Sequence, residues 1–108
     1  MITTESSKKK ALRMANLLIQ KKLAACVSIN KIFSIYEWED QIEETKEFEI
    51  KIKSKPELKD DLINFLHTIS TYDVPEIIYK KYHAEMKYFD WLNNSCLLYT
   101  SPSPRDAS

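Results

Sequence analysis

The sequence predicts an α+β fold in which two helices cover one face of an antiparallel sheet, in the element order βαββαβ with a further helix at the C-terminal end. Two segments, at about 7–22 and 56–69, repeat apolar residues at helical spacing, and residues 47–53 alternate between charged and apolar. A length of 108 residues with 16 basic and 16 acidic side chains fits one domain. We assign this domain to residues 1–96.

The N-terminal part of the chain predicts a short strand and an amphipathic helix. Residues 1–5 are rich in threonine, as short strands often are, and Ser6 and Ser7 are candidate helix caps. A helix is then predicted from about Ser7 to Lys22. One face of it collects apolar residues at three- and four-residue steps, namely Ala11, Leu12, Ala15, Leu18 and Ile19.

The middle of the chain predicts a long β-hairpin. Residues 26–38 are rich in β-branched and aromatic side chains, with a bend expected at residues 30–31. The alternation at 47–53 indicates a strand with one solvated face. Because the chain contains no glycine, Asp40 is the turn residue expected to adopt a left-handed conformation.

The C-terminal half predicts a second helix, a last strand and a short helix. Pro56 is suited to the first turn of a helix that continues to about residue 69. Residues 76–82, EIIYKKY, are predicted to form the final strand, with Pro75 tolerated only at its start. A short helix is expected at about 84–94. This order is the ferredoxin-like plan.

The predicted hairpin is long for a monomer of this size. Its strands each span about a dozen residues, against a usual five or six, so part of it should extend beyond the helices. That part contains five large apolar residues, Ile32, Phe33, Ile35, Tyr36 and Trp38. We expect copies of the same chain to cover them.

Composition argues against several classes of function. A net charge of zero lacks the basic excess typical of nucleic-acid binding, and no apolar run approaches the roughly 20 residues of a membrane span. No secretory leader follows Met1, and Cys26 and Cys96 are too far apart in sequence for a Cys-x-x-Cys motif, which favours a reducing, cytoplasmic location. The absence of glycine excludes a Gly-rich phosphate loop.

Residues 97–108 differ in character from the rest of the chain. They read LLYTSPSPRDAS, with two prolines among serines and no apolar period. Such a segment cannot bury enough apolar surface to order itself. We expect a disordered tail that is not native to the protein, with a natural disordered tail as the alternative.

Several blocks in order make the sequence similar to the CutA divalent-cation tolerance family. The resemblance covers about residues 3–92 and is carried by KKLAACVSI (21–29), SIYEWEDQIEE (34–44), KIKS (51–54), YDVPEII (72–78) and YFDWL (88–92). It implies a ferredoxin-like protomer of a tight homotrimer, in which long hairpins pair between subunits. It also implies an association with copper and other divalent metals.

The sequence departs from the family pattern at three places. Only Met1 and Ile2 precede Thr3, which implies a truncated first strand. Residues 70–71 are Ser-Thr where the family often has His-Pro, so no role of that histidine is carried over. Asp40 occupies the usual place of a glycine.

Cys26, His83 and Glu85 are the candidate metal ligands. A Cys26 thiolate suits soft Cu(I), although small buried thiols more often only pack. His83 precedes Glu85 and Met86, a donor set able to take copper at a subunit surface, with a solvated surface as the alternative. His67 reads as a helix-edge residue. Any copper or other divalent cation is expected to bind weakly, and no organic cofactor is expected.

A second group combines aromatic and acidic residues: Tyr36, Trp38, Glu43, Tyr72 and Glu76. If a hairpin packs against a neighbour's 72–76 segment, these residues form either a ligand pocket or a set of interface anchors. The other acidic residues of the hairpin read as solvated strand faces with cross-strand ion pairs.

The sequence therefore favours a non-enzymatic homotrimer that binds divalent metal ions and contributes to the metal-ion response. The alternative is a trimeric signalling module that binds a small ligand between subunits. An acylphosphatase-like enzyme is disfavoured because residues 3–10 contain neither arginine nor glycine for a phosphate loop. No catalytic residue is assigned.

Overall fold

A computed structural model describes residues 1–96 of the protein. The segment 97–108, predicted to be a tail, lies outside the described residues. The described chain forms three strands and three helices: β1 (Ile2–Glu5), α1 (Lys8–Gln20), β2 (Cys26–Trp38), β3 (Gln41–Lys53), α2 (Lys59–Ile69) and α3 (Met86–Ser95). A single 3-10 turn, Pro56–Leu58, leads into α2.

The strands form one antiparallel sheet in the order β1-β3-β2. The register pairs Ile2 with Lys51 between β1 and β3, and Trp38 with Gln41 at the far end of the hairpin. The fold is thus α+β, as predicted. The prediction of a full last strand at 76–82 was wrong, because only an isolated bridge forms there, between Ile2 and Ile78.

The bridge between Ile2 and Ile78 shows which part of the predicted last strand pairs with the sheet. Ile2 and Ile78 exchange backbone hydrogen bonds of 2.7 and 3.0 Å on the side of β1 opposite β3. The segment therefore lies where a fourth strand of a ferredoxin-like sheet belongs, but a ladder does not extend from this one pair. The large side chains that follow the bridge, Tyr79 and Tyr82, remain exposed.

Helix α1 begins as the sequence predicts. The Ser7 hydroxyl accepts a hydrogen bond of 3.2 Å from the Lys10 N–H, which satisfies one of the free donors of the first turn. The buried side of α1 carries Ala11, Met14 and Leu18. These residues join Leu62 and Leu66 of α2 and the β3 isoleucines in a single core. The predicted apolar face was wrong at Leu12 and Ile19, which are each 44% exposed, and it did not include Met14.

The hairpin is continuous along 13 residues in each strand. The bend predicted at residues 30–31 is wrong, since Asn30 and Lys31 stay in register with Glu49 and Phe48. Glu39 and Asp40 both have positive φ values, 51° and 62°, as a two-residue turn of the twisted hairpin requires. The prediction for Asp40 is confirmed, and Glu39 shares that conformation.

The hairpin has two halves that differ in cover. We call residues 26–31 and 48–53 the packed half, because Ile50 and Ile52 belong to the core. We call residues 32–47 the projecting half. Its large apolar side chains are mostly in solvent, with Ile42 78% and Ile35 68% exposed. The predicted exposure of the long hairpin is confirmed for this half.

A buried carboxylate fixes the end of β1. Glu5 is only 1% exposed, and its carboxylate accepts hydrogen bonds from the backbone N–H of Ser6 and Thr71 and from the Thr71 hydroxyl. These donors compensate for the loss of water around the charge. The contact joins β1 to the segment that follows α2.

The cross-strand ion pairs expected along the hairpin do not form. Within residues 1–96 the one ion pair joins Lys51 and Glu49 of the same strand, at 3.9 Å.

Among residues 1–96, each helix is too short or too polar to span a lipid bilayer.

Candidate functional site

Cys26 stands at the start of β2, at the base of the hairpin. Its pairing partner is Lys53, and strand alternation places it on the sheet face opposite to Val27 and Ile29, which pack against the core. The thiol is free and its residue is half-buried. The second cysteine, Cys96, is buried in the core, with its sulfur 3.8 Å from the Ser54 hydroxyl.

His83 and Glu85 lie in the segment that precedes α3. Both line a cleft of about 1050 Å³, which Cys26 does not line. The Glu85 carboxylate already has a structural role, since its Oε1 accepts a hydrogen bond of 3.1 Å from the Lys87 N–H and caps α3. His67, predicted to be a helix-edge residue, is exposed in the last turn of α2.

These donors do not form a metal site within one chain. Among residues 1–96, no three His, Cys, Asp or Glu side chains come together at ligand spacing. The walls around His83 and Glu85 also hold lysines, whose charge repels a cation. The predicted ligands Cys26, His83 and Glu85 therefore fit a metal ion only if another copy of the chain supplies further donors.

The predicted aromatic and acidic group is partly assembled around Glu47, a residue that sequence reasoning did not single out. The Tyr72 hydroxyl donates a hydrogen bond of 2.9 Å to Glu47 Oε1 of the same chain. Burial, and then the hydrogen bond and charge of Glu47, raise the pKa of the Tyr72 phenol above its usual value. Tyr72 thus contacts its own hairpin. The predicted pocket or interface, which required a hairpin packed against a neighbour's 72–76 segment, stays a prediction.

Glu76 is close to the same acidic residues. Partial burial raises the pKa of the Glu76 carboxyl, and the charges of Glu47 and Glu49 raise it further. A cation or a hydrogen-bond donor from outside the chain would relieve this repulsion. The group can therefore accept a cation or a hydrogen-bond donor from another molecule.

Tyr36, Trp38 and Glu43 lie in the projecting half. Tyr36 and Glu43 are paired across the two strands, and the Thr45 hydroxyl donates a 3.3 Å hydrogen bond to the Tyr36 hydroxyl. Trp38 is exposed beside the hairpin turn. Of these three residues, Tyr36 contributes to the raised pKa of Tyr72, which links the projecting half to the group around Glu47.

The lysines of the cleft were also missed by sequence reasoning. Lys51, Lys53 and Lys55 recur at alternate positions and read as the wet face of a strand. Lys80 and Lys81 line the same cleft only because of the path that the segment before α3 takes, and no local sequence pattern predicts that path. The period-2 spacing of the first three was the one signal available.

The geometry defines a class of protein: a small α+β domain whose hairpin is longer than its own helices can cover. Residues 1–95 match the model of the CutA1 divalent ion tolerance protein family. The chain therefore belongs to the CutA1 family, as its sequence blocks indicated.

Individual relatives agree with this assignment. The chain is 39% identical over 85 residues to "Protein CutA, chloroplastic" of Arabidopsis thaliana, which covers 77% of this chain and 47% of that protein. It is 33% identical over 93 residues to the divalent-cation tolerance protein CutA of Archaeoglobus fulgidus, covering 85% and 91% respectively. The chain spans between 41% and 53% of the length of the matched plant, human and mouse relatives.

The fold is also that of a solved structure of the family. The crystal structure of CutA1 from Oryza sativa superimposes with a TM-score of 0.82 at 36% identity, covering 90% of this chain and 91% of that one.

Proposed function

We propose that the protein is a non-enzymatic homotrimer that binds copper or other divalent metal ions weakly and contributes to the cell's response to them. The observation that carries this proposal is the exposed projecting half of the hairpin, in a chain that belongs to a divalent-ion tolerance family. The family's name describes tolerance to ions and not a reaction, which supports a role without catalysis. We propose the cytoplasm as its location, from the unpaired cysteines.

The case for self-association rests on two properties of the hairpin. Its apolar side chains, among them Phe33, Ile35 and Trp38, are exposed in the single chain. In addition, β2 is an edge strand, so one row of its backbone groups has no strand partner among the residues that the structure describes. Exposed apolar surface next to an open strand edge is suited to pairing with an identical hairpin. Three hairpins that pair in turn would cover all three surfaces.

Metal binding in this proposal requires the assembly. Cys26 would supply a thiolate, which prefers soft Cu(I), and His83 or Glu85 would supply nitrogen or oxygen donors. Because one chain does not gather three donors within residues 1–96, each site would combine residues of different copies. Few donors from each copy imply weak binding.

Competition between the protein and a copper chelator tests this proposal. We expect Cys26→Ala to weaken copper binding and His83→Ala to weaken it less, because the lysines near His83 oppose a cation. His67→Ala is the matched control, since His67 is exposed on α2 and does not line the cleft of His83 and Glu85. Equal copper binding by wild type, Cys26→Ala and His83→Ala would remove these ligands from the proposal.

One observation favours a second candidate, a trimeric signalling module that binds a small ligand between subunits. Tyr72 is hydrogen-bonded to Glu47, and burial, followed by the charges of Glu47 and Glu49, raises the pKa of the nearby Glu76 carboxyl. A ligand with donor groups would stabilise these carboxylates. A thermal-shift screen of metals, amines, anions and nucleotides separates the two candidates: an organic ligand that acts without metal, and loses its effect in Tyr72→Phe, favours the second.

A further inference from the structure

Helix α1 carries a concentration of positive charge that the proposed metal function does not use. Residues 6–36 contain seven of the 16 basic residues of the chain and none of its 16 acidic residues. Four of the seven lie in the first half of α1 and are exposed, namely Lys8, Lys9, Lys10 and Arg13. Because the whole chain has no net charge, this excess is local to one helix and the segments beside it.

The buried side of α1 determines which residues point away from the molecule. Ala11, Met14 and Leu18 pack in the core, so the opposite side of the helix is turned away from the sheet. A helix has 3.6 residues per turn, which places five exposed residues on that opposite side. We call them the basic face of α1: Lys9, Leu12, Arg13, Asn16 and Ile19.

The lysines at the start of α1 oppose the helix dipole. Residues 8–10 lie at the N-terminal end of the helix, where the dipole is positive, and the first turn has no acidic residue. In the part of the chain that the structure describes, the one ion pair joins Lys51 and Glu49, so no carboxylate there pairs with these lysines. Positive charge at this end destabilises a helix. The stability of α1 therefore does not explain the lysines, whereas an anion from another molecule does.

Two apolar side chains stand beside the charges of the basic face. Leu12 and Ile19 are exposed, although other apolar residues of α1 are buried in the core. They are two helical turns apart, which separates them by roughly 10 Å along the helix axis. A partner that covers the whole face therefore needs apolar groups at about this spacing as well as negative charge.

We propose that the basic face of α1 binds an acidic segment of a partner protein, whose carboxylates contact Lys9 and Arg13 and whose apolar side chains cover Leu12 and Ile19. Lysine and arginine form charge-assisted hydrogen bonds with carboxylates. None of these residues belongs to the projecting half or to the candidate metal ligands. The proposal is therefore independent of the trimer and of the metal function.

Two other anionic partners fit the basic face less well. A helix binds to a bilayer by inserting its apolar side, and the apolar side of α1 is already buried in the core. The phosphate backbone of DNA supplies negative charge but no apolar group to cover Leu12 and Ile19. An acidic protein segment that also carries leucines or similar residues matches both properties of the face.

Fluorescence anisotropy tests this proposal on the full chain, at an ionic strength of about 0.15 M. The probe is a labelled peptide of about twelve residues, all glutamate except for two leucines about two helical turns apart. We expect saturable binding that the double change Lys9→Glu and Arg13→Glu weakens by at least about tenfold, because each exchange replaces an attraction by a repulsion. The matched control makes the same charge change at two exposed positions outside α1, Lys81→Glu and Lys87→Glu, and should weaken binding by less than about threefold.

A second variant separates the apolar part of the face from the charged part. The double change Leu12→Ser and Ile19→Ser should weaken binding of the leucine-containing peptide by about fivefold, because two apolar contacts are lost. Binding of an all-glutamate peptide of the same length should be unchanged. The Lys9→Glu and Arg13→Glu variant should keep the melting temperature of the wild type, since a carboxylate in the first turn favours the helix dipole.

Three results would overturn the proposal. The first is a wild-type protein that gives no saturable binding of the leucine-containing peptide. The second is equal binding of this peptide by the Lys9→Glu and Arg13→Glu variant and by the control variant. The third is tighter binding of phosphatidylserine vesicles or duplex DNA than of the peptide, lost in the Lys9→Glu and Arg13→Glu variant, because the basic face would then serve a lipid or a nucleic acid.

Discussion

The packed and projecting halves of the hairpin share one backbone and differ in what covers it. The same register runs without interruption from Cys26 opposite Lys53 to Trp38 opposite Gln41, so both halves have the same ladder of hydrogen bonds. Ile50 in the packed half is fully buried, whereas Ile42 in the projecting half is almost fully exposed. Backbone pairing alone therefore does not account for the stability of a long hairpin in water, because an isolated ribbon is marginal without an apolar face to bury.

The two halves therefore determine different properties of the protein, folding in one case and binding in the other. The packed half holds α1 and α2 against the sheet and determines whether a single chain folds. The projecting half offers apolar side chains and an open strand edge, so it determines what the folded chain binds. Substitutions in the two halves should therefore have different consequences.

The largest expected effect is on the packed half. Ile50→Ala should lower the free energy of unfolding by about 2–5 kcal/mol, because it leaves a cavity between the sheet and both helices. Urea unfolding followed by circular dichroism measures the change. Leu12→Ala is a control of the same chemistry on the exposed face of α1 and should cost less than about 1 kcal/mol. Equal costs for the two variants would contradict the position of the core.

A charge in the projecting half should act on assembly. Phe33→Asp places a carboxylate on exposed apolar surface, so the far-UV circular dichroism of the fold should persist while self-association weakens by at least about tenfold. Sedimentation velocity over a range of concentrations gives the association constant. Gln20→Asp, at an exposed position of α1, should leave that constant unchanged. Loss of the folded spectrum in Phe33→Asp would place Phe33 in the core.

The contact between the 72–76 segment and the hairpin should have a moderate effect. Tyr72→Phe removes the hydrogen bond to Glu47 and should destabilise the protein by about 0.5–1.5 kcal/mol. Tyr82→Phe removes a hydroxyl from an exposed ring and serves as the control in thermal unfolding. A Tyr72→Phe melting temperature equal to that of Tyr82→Phe would show that the hydrogen bond contributes nothing.

The smallest expected effect depends on pH. The pKa of Glu76 is raised in the fold, so the folded protein binds a proton there more readily than the unfolded chain, and stability falls as pH rises through the folded pKa. Glu76→Gln should therefore stabilise the protein slightly at neutral pH, by less than about 0.5 kcal/mol because the group is largely exposed. Below the ordinary pKa of the carboxyl this gain should vanish.

Thermal unfolding at pH values on both sides of that range checks the Glu76 prediction. Glu44→Gln is the control, since Glu44 is an exposed carboxylate on the hairpin. A Glu76→Gln effect that grows toward acid pH would reverse the assigned sign.

The parts of the fold that depend on local periodicity were predictable from the sequence. The existence of α1, its Ser7 cap and the alternation around Ile50 each follow from spacing along a single element. Which side of α1 is buried was only partly predicted, because Leu12 and Ile19 are exposed and Met14 is buried. The last strand was not predictable in this way, because residues 76–82 have strand composition but pair at Ile78 alone. A strand forms only where it can pair with the edge of a neighbouring strand. The short β1 provides little edge for residues 76–82 to pair with.

The candidate site was predicted less completely, for the same physical reason. Tyr72 and Glu76 were singled out from their residue types, but the hydrogen bond of Tyr72 to Glu47 joins positions 25 apart in sequence. The cleft that His83 and Glu85 line also brings together lysines of β3, α2 and the segment before α3. Local sequence patterns indicate on which face of its own helix or strand a residue lies. Contacts between residues of different elements depend on how those elements pack.

Native mass spectrometry of the intact protein tests whether copies of the same chain cover the projecting half. We expect an assembly of three chain masses that Phe33→Asp reduces toward one. A folded wild-type protein that keeps the mass of a single chain at high concentration would contradict this expectation.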